Sequence, residues 1–313
     1  MLVVMTVSAF WSLLFPGRDP DGKPRSRAGL FIGKGFLVGL VALANARFSP
    51  ENLRGIQDAY STGVTPRPAA AFRAPVEVDG AGTVPAPLMM TVEYGEVQDP
   101  RLYEWATWAH NERLLESYAE WVNSWIRLPA PVTLRFAECG RANAFYRGRE
   151  RAIVLCLEML DYMGARFTGS ISPDAVGPAV DGAARFILSH ELGHALIHLL
   201  DLPALGGQED AADQLAAFVM LDGTEDGRAA ALHWVVSLGD EYVHDVTRLA
   251  GEHSLNGQRR YNLLCWMYGQ DPMRNVRLIS EGHLPAARAE RCGYEYQRMN
   301  RDWNRLLGPH LIR

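Results

Sequence analysis

Apolar positions along this chain follow two different periods, and the change between them divides it. Residues 89–97, with Thr91, Val92, Tyr94 and Val97, read as alternating and predict a strand. Residues 131–136 and 152–157 predict two more. Arg147-Gly148-Arg149-Glu150 predicts the turn of a hairpin entered through Asn143-Ala144-Phe145-Tyr146. Residues 102–126 carry an amphipathic helical pattern with Trp105, Trp108, Trp121 and Trp125; at that spacing a tryptophan stripe faces a core rather than a ligand. From 186 onward nearly every segment reads as helix, closing with a long one over 285–307. The expected architecture is α+β: a small, mostly antiparallel sheet packed on a largely helical C-terminal half.

One predicted helix, 184–200, is apolar on most sides. Phe186, Ile187 and Leu188 precede its centre, and Ala195, Leu196, Ile197, Leu199 and Leu200 follow it. Such a helix is expected to be buried. Its centre is nevertheless polar: His190-Glu191-Leu192-Gly193-His194, a His-Glu-x-x-His pattern. Two imidazoles and a carboxylate in a buried helix carry a desolvation cost unless paired or bound to a metal. Positions four apart share a helix face, so His190 and His194 can meet one ion. Glu191 is displaced by about 100° around the helix, beside that ion, where a base for a metal-activated water belongs. Zinc lowers the pKa of such a water to about 7. The pattern therefore points to a zinc-dependent peptidase, against the plainer reading of an amphipathic helix with polar histidines.

A catalytic zinc needs a third protein ligand. A histidine six residues after the second is one known solution, but Leu200 occupies that position. His198 continues the row of histidines, yet eight residues of helix rise about 12 Å, too far for three to converge. A break at 201–207, with Pro203, Gly206 and Gly207, ends this helix, and a second opens at about Gln208. Its first turns carry Glu209, Asp210 and Asp213. Glu209 and Asp213 share a face, which suits Glu209 as ligand and Asp213 as the acceptor orienting one imidazole. Asp210 stays open as the alternative ligand, and acidic residues favour any helix N-terminus.

These residues resemble a known group. His-Glu-Leu-Gly-His followed by Glu209-x-x-Ala212-Asp213-x-x-Ala216-Ala217 looks like the gluzincin arrangement, with its zincin-like active-site helix and third ligand on the next helix. More specifically, three stretches resemble the bacterial metallopeptidase-like family known as the DUF4344 domain. They are Cys139-Gly140-Arg141-Ala142-Asn143-Ala144-Phe145-Tyr146, residues 190–217, and residues 259–272 with Cys265-Trp266-Met267-Tyr268-Gly269. The resemblance spans roughly 91–311. It implies His190, His194 and Glu209 as Zn2+ ligands and Glu191 as catalytic base. It implies no particular substrate.

For the oxyanion of an attacked carbonyl, residue type nominates His253, Arg259 and Tyr146 as donors. Peptide or protein is the expected substrate. A zinc-stabilised, non-catalytic binding module and a hydrolase of a non-peptide amide or ester are the competing readings. Glu191 argues against the module, which would not require it.

With 48% hydrophobic and 21% charged residues, the 313-residue chain can bury a sizeable core. Its net charge of −5, without a Lys/Arg run, gives no ground for a nucleic-acid partner. Two apolar segments, 1–15 and 35–46, precede a Pro/Ala-rich linker over 47–88 and the domain proper, 89–313. Arg25, Arg27 and Lys34 before the second segment, and Ala44-Asn45-Ala46 at its end, describe a secretory signal cleaved after Ala46. That signal starts far from Met1, so either translation begins later or the segments anchor the chain to a membrane. Export, to the periplasm or beyond, is the favoured reading. The four cysteines suit it: no Cys-x-x-Cys is present, and of three connectivities the local pairs Cys139–Cys156 and Cys265–Cys292 are favoured over buried thiols.

Overall fold

The structure, a computed structural model, describes residues 89–238 and 249–312. The segments expected to be signal and linker lie outside these residues. Four strands, β1 (Met90–Tyr94), β2 (Val132–Ala137), β3 (Ala144–Arg147) and β4 (Ala152–Cys156), form one sheet in the order β1-β2-β4-β3. Every side chain of β4 is buried, the signature of a strand covered on both faces. In β2 buried and half-buried positions alternate, as in a strand with one drier face.

The expectation of a mostly antiparallel sheet is corrected. β1 pairs with β2 and β2 with β4 in parallel, and only the predicted hairpin β3–β4 is antiparallel. The reason is connectivity. A parallel pair needs a long crossover, and two helices, α1 (Tyr103–Asn111) and α2 (Leu114–Trp125), carry the chain from β1 back to the start of β2. These two helices stand where the sequence predicts one. Arg113 takes a left-handed conformation, φ 53°, and breaks the run. The tryptophans are half-buried and serve packing: Trp105 and Trp108 meet edge to face at 5.5 Å, and Trp121 lies between Tyr118 and Trp125.

Beyond the sheet the described chain is helical: α3 (Leu157–Phe167), α4 (Pro173–Leu199), α5 (Gln208–Met220), α6 (Glu225–Ser237), α7 (Asn256–Gln270), α8 (Arg277–Ser280), α9 (Ala286–Ala289) and α10 (Cys292–Leu307). The motif helix α4 is longer than its apolar core suggests. It starts at Pro173, a residue suited to a first helical turn, and runs through Gly177, Pro178 and Gly182. Those residues weaken an isolated helix, but here the segment packs on α3 and α6. The expected final helix over 285–307 is broken in two before Cys292.

Both disulfides are the local pairs, Cys139–Cys156 and Cys265–Cys292, and no cysteine is free. The first ties the loop after β2 to the end of β4, and the second ties α7 to α10. Among the described residues no helix is long and apolar enough to cross a membrane.

Candidate metal centre

α4 lies centrally, against α3, α5, α6, β3 and β4. Its approach to α5 is close because of Gly193, inside the motif. A Cβ there would stand 2.9 Å from the Ala212 backbone, nearer than side chains tolerate. The glycine at this position lets the two helices touch, and the contact carries Glu209 and Asp213 over to the motif histidines.

Three donor atoms converge there. His190 Nε2 lies 3.0 Å from Glu209 Oε2, His194 Nε2 lies 3.3 Å from the same oxygen, and the two Nε2 atoms are 3.2 Å apart. All three side chains are largely buried. Ligands at about 2.0–2.1 Å in a tetrahedron stand roughly 3.3 Å from one another, so this spacing fits one small cation. Two ring nitrogens facing each other across a shared carboxylate oxygen make little sense as a hydrogen-bond network. As ligands of one ion they make good sense. Borderline imidazole donors with one carboxylate suit a divalent transition-metal ion.

The surroundings orient the donors. His190 Nδ1 lies 2.8 Å from Asp213 Oδ1; in the neutral ring, the form that can bind a metal, an Nδ1–H donated to that carboxylate leaves the Nε2 lone pair directed at the cluster. Asp213 in turn accepts from Arg259 Nε (2.7 Å) and Nη2 (2.8 Å), and the guanidinium lies over the Trp234 ring. Burial disfavours the Asp213 charge, but Arg259 and His190 overcome it and hold the carboxyl well below the usual range. Glu209 behaves alike: burial opposes its charge, and hydrogen bonds from His190, His194 and His253 bring it far down. Burial also works against a charged His190, yet Asp213 and Glu209 raise it to about 9 in the absence of a metal.

Glu191 stands beside the cluster, within electrostatic reach of His190, His194, Glu209 and His253. Burial pushes its carboxyl up, the imidazoles pull it down, and the net shift is upward. A carboxylate raised toward neutrality is better matched to taking and returning a proton.

The remaining candidates separate. His253 Nε2 comes to 2.8 Å from Glu209 Oε2, at the centre itself. Arg259 is largely buried and committed to Asp213. Tyr146, on β3, has its hydroxyl 2.9 Å from Nδ1 of the exposed His198, beyond His194 on α4, so it is held at the sheet edge. Asp210 accepts from Ser254 Oγ at 2.7 Å, which fixes the loop carrying His253. Neither the Arg259–Asp213 pair nor the Ser254–Asp210 tether follows from sequence spacing. Their only trace there is a polar stretch with His253 and Arg259 six apart, just before and within α7.

Comparison with known families agrees with this geometry. Residues 94–307 match DUF4344, described as "Putative metallopeptidase". The match covers more than half of the chain, and the protein belongs to this family. No curated protein and no solved structure matches it.

Proposed function

We propose that this protein is a zinc-dependent peptidase, with His190, His194 and Glu209 holding the ion and Glu191 acting as general base. The observation that carries the reading is the convergence of two imidazole nitrogens and a carboxylate oxygen, 3.0–3.3 Å apart, beside a buried glutamate. When bound, zinc supplies the Lewis acidity that activates a water and polarises a carbonyl. Glu191 would act as the base that accepts a proton from the attacking water and as the acid that returns it to the leaving amine. Asp213, charged by Arg259, keeps the His190 ring turned toward the ion. Of the nominated oxyanion donors His253 is the one favoured, because its Nε2 lies 2.8 Å from Glu209 Oε2.

The substrate is an extended peptide. β3 is an outer strand whose far edge pairs with no other described strand, and it packs on α4. A peptide adding to that edge would run past the motif helix, with β3 backbone groups as its register. Two disulfides suit an oxidising compartment, and with them export.

The test begins with elemental analysis of the purified full chain. About one zinc per chain is expected, lost or much weakened in Glu209→Ala. Glu191→Gln should keep its zinc and lose about 10²- to 10⁴-fold in peptide hydrolysis. Wild-type protein that cannot be loaded with zinc would sink the reading, and zinc-replete protein inert toward a peptide library would overturn the peptidase in favour of a metal-binding module or a hydrolase of a non-peptide amide or ester.

A further inference from the structure

A catalytic zinc site keeps three protein ligands and one open position. Here a fourth protein donor faces the cluster. His253 Nε2 is 2.8 Å from Glu209 Oε2, and donor atoms of His190, Glu209 and His253 all lie within 4.8 Å of one another. The His253 ring runs nearly parallel to that of His190, 17° between planes and 6.0 Å between centroids. Its placement has a local cause: the adjacent Ser254 is bonded to Asp210, one residue beyond Glu209 on α5. Leu255 N, donating to Gln258 Oε1, then starts α7. The same helical turn that offers Glu209 as ligand thus holds the loop that offers His253.

We propose that His253 is a fourth protein ligand of the resting centre, a cap that leaves when substrate arrives. The reading rests on the zinc site argued above and adds the residue that closes it. Exposure distinguishes the cap from the permanent ligands. The side chains of His190, His194 and Glu209 are 6%, 13% and 15% exposed, whereas His253 is 54% exposed. Three ligands are clamped between α4 and α5, and the fourth approaches from the solvent side on a loop. A group so placed can swing out without disturbing the helices. Once displaced it still borders the site, which reconciles its nomination as oxyanion donor with its position on Glu209.

The deciding measurement is the number of imidazoles on zinc, counted by X-ray absorption on the zinc-loaded full chain. Three are expected in wild type and two in His253→Ala, with zinc about 10- to 100-fold weaker in the variant. His253→Gln serves as a second variant should the first not fold. Acetohydroxamate, a small chelating probe of an open coordination site, should reduce the wild-type count from three to two. Zinc held by two imidazoles in wild type, unchanged in the variants, overturns the cap and leaves the three-ligand site standing. Three imidazoles that persist with the probe bound overturn its displacement. Failure to bind zinc at all removes the underlying site and the cap together.

Discussion

Arg259 illustrates how one side chain can serve a centre it does not touch. Its guanidinium bonds both oxygens of Asp213, and Asp213 bonds the ring of His190. Removing it leaves a buried carboxylate with His190 as its single partner among the contacts described and without the cation that keeps it charged, so Asp213 holds the His190 ring less firmly. Arg259→Ala is therefore expected to weaken zinc binding by about 10- to 100-fold, as loss of an outer partner of a ligand does. Arg259→Lys should recover little, because an ammonium cannot reproduce the two-pronged contact. Competition against a chelator measures both, and zinc affinity unchanged in Arg259→Ala would refute the role. Asp210 teaches the complementary lesson. By sequence it competes with Glu209 as ligand, and in the fold it holds Ser254 instead, because one helical position turns it to a different neighbour.

Among the elements, α4 determines most of what surrounds it. Gly193 sets its distance from α5, so Gly193→Ala tests whether that distance matters. The added methyl meets the Ala212 backbone, and overpacking of this kind costs about 1–3 kcal/mol. A lower unfolding midpoint together with weaker zinc binding is the expected outcome. An alanine variant as stable as wild type would show that α5 can shift freely. On the other side, α4 meets α6, where His233 fills the space that Gly182 leaves. Its Nδ1 is sealed from solvent without a partner among the described residues, and burial lowers the imidazole to about 4 despite Asp181.

This has a pH consequence of definite sign. The unfolded chain gains a proton on His233 near pH 6.5 that the fold refuses until about pH 4. Stability therefore falls as pH drops through that window, by at most about 3 kcal/mol, and is unaffected by this group above it. His233→Leu should lose about 2 kcal/mol less than wild type on acidification from pH 7 to 4.5. Urea unfolding at the two pH values measures the difference. Equal losses in the two proteins would show that His233 is protonated in the fold.

For the whole described domain, the two disulfides tie neighbouring elements: the loop after β2 to the end of β4, and α7 to α10. They close separations of 17 and 27 residues. In the chain-entropy view each is worth about 3–4 kcal/mol. A reducing agent is expected to lower the thermal midpoint by several degrees for each bond broken. An unchanged midpoint after verified reduction would show that the bonds add nothing to the fold's stability. The Cys265–Cys292 bond also steadies α7, whose first turns carry Arg259, so reduction should loosen zinc as well.

Much of the candidate site's geometry was legible in the sequence because it is local. His190, Glu191 and His194 take their mutual geometry from helical periodicity alone, and Glu209 and Asp213 share a face for the same reason. The β3–β4 hairpin and both disulfide pairs were likewise readable from short separations. What lay beyond reach depended on contacts between distant segments. The direction of β1 relative to β2 is set by a crossover whose helical break rests on a single left-handed residue, Arg113. The early start of α4 against its own prolines and glycines is decided by packing, which outweighs propensity. His253 reaches Glu209, and Arg259 reaches Asp213, only because the start of α7 returns to the first turns of α5. Periodicity places side chains on a face. Which face meets which is settled by the burial of the whole chain.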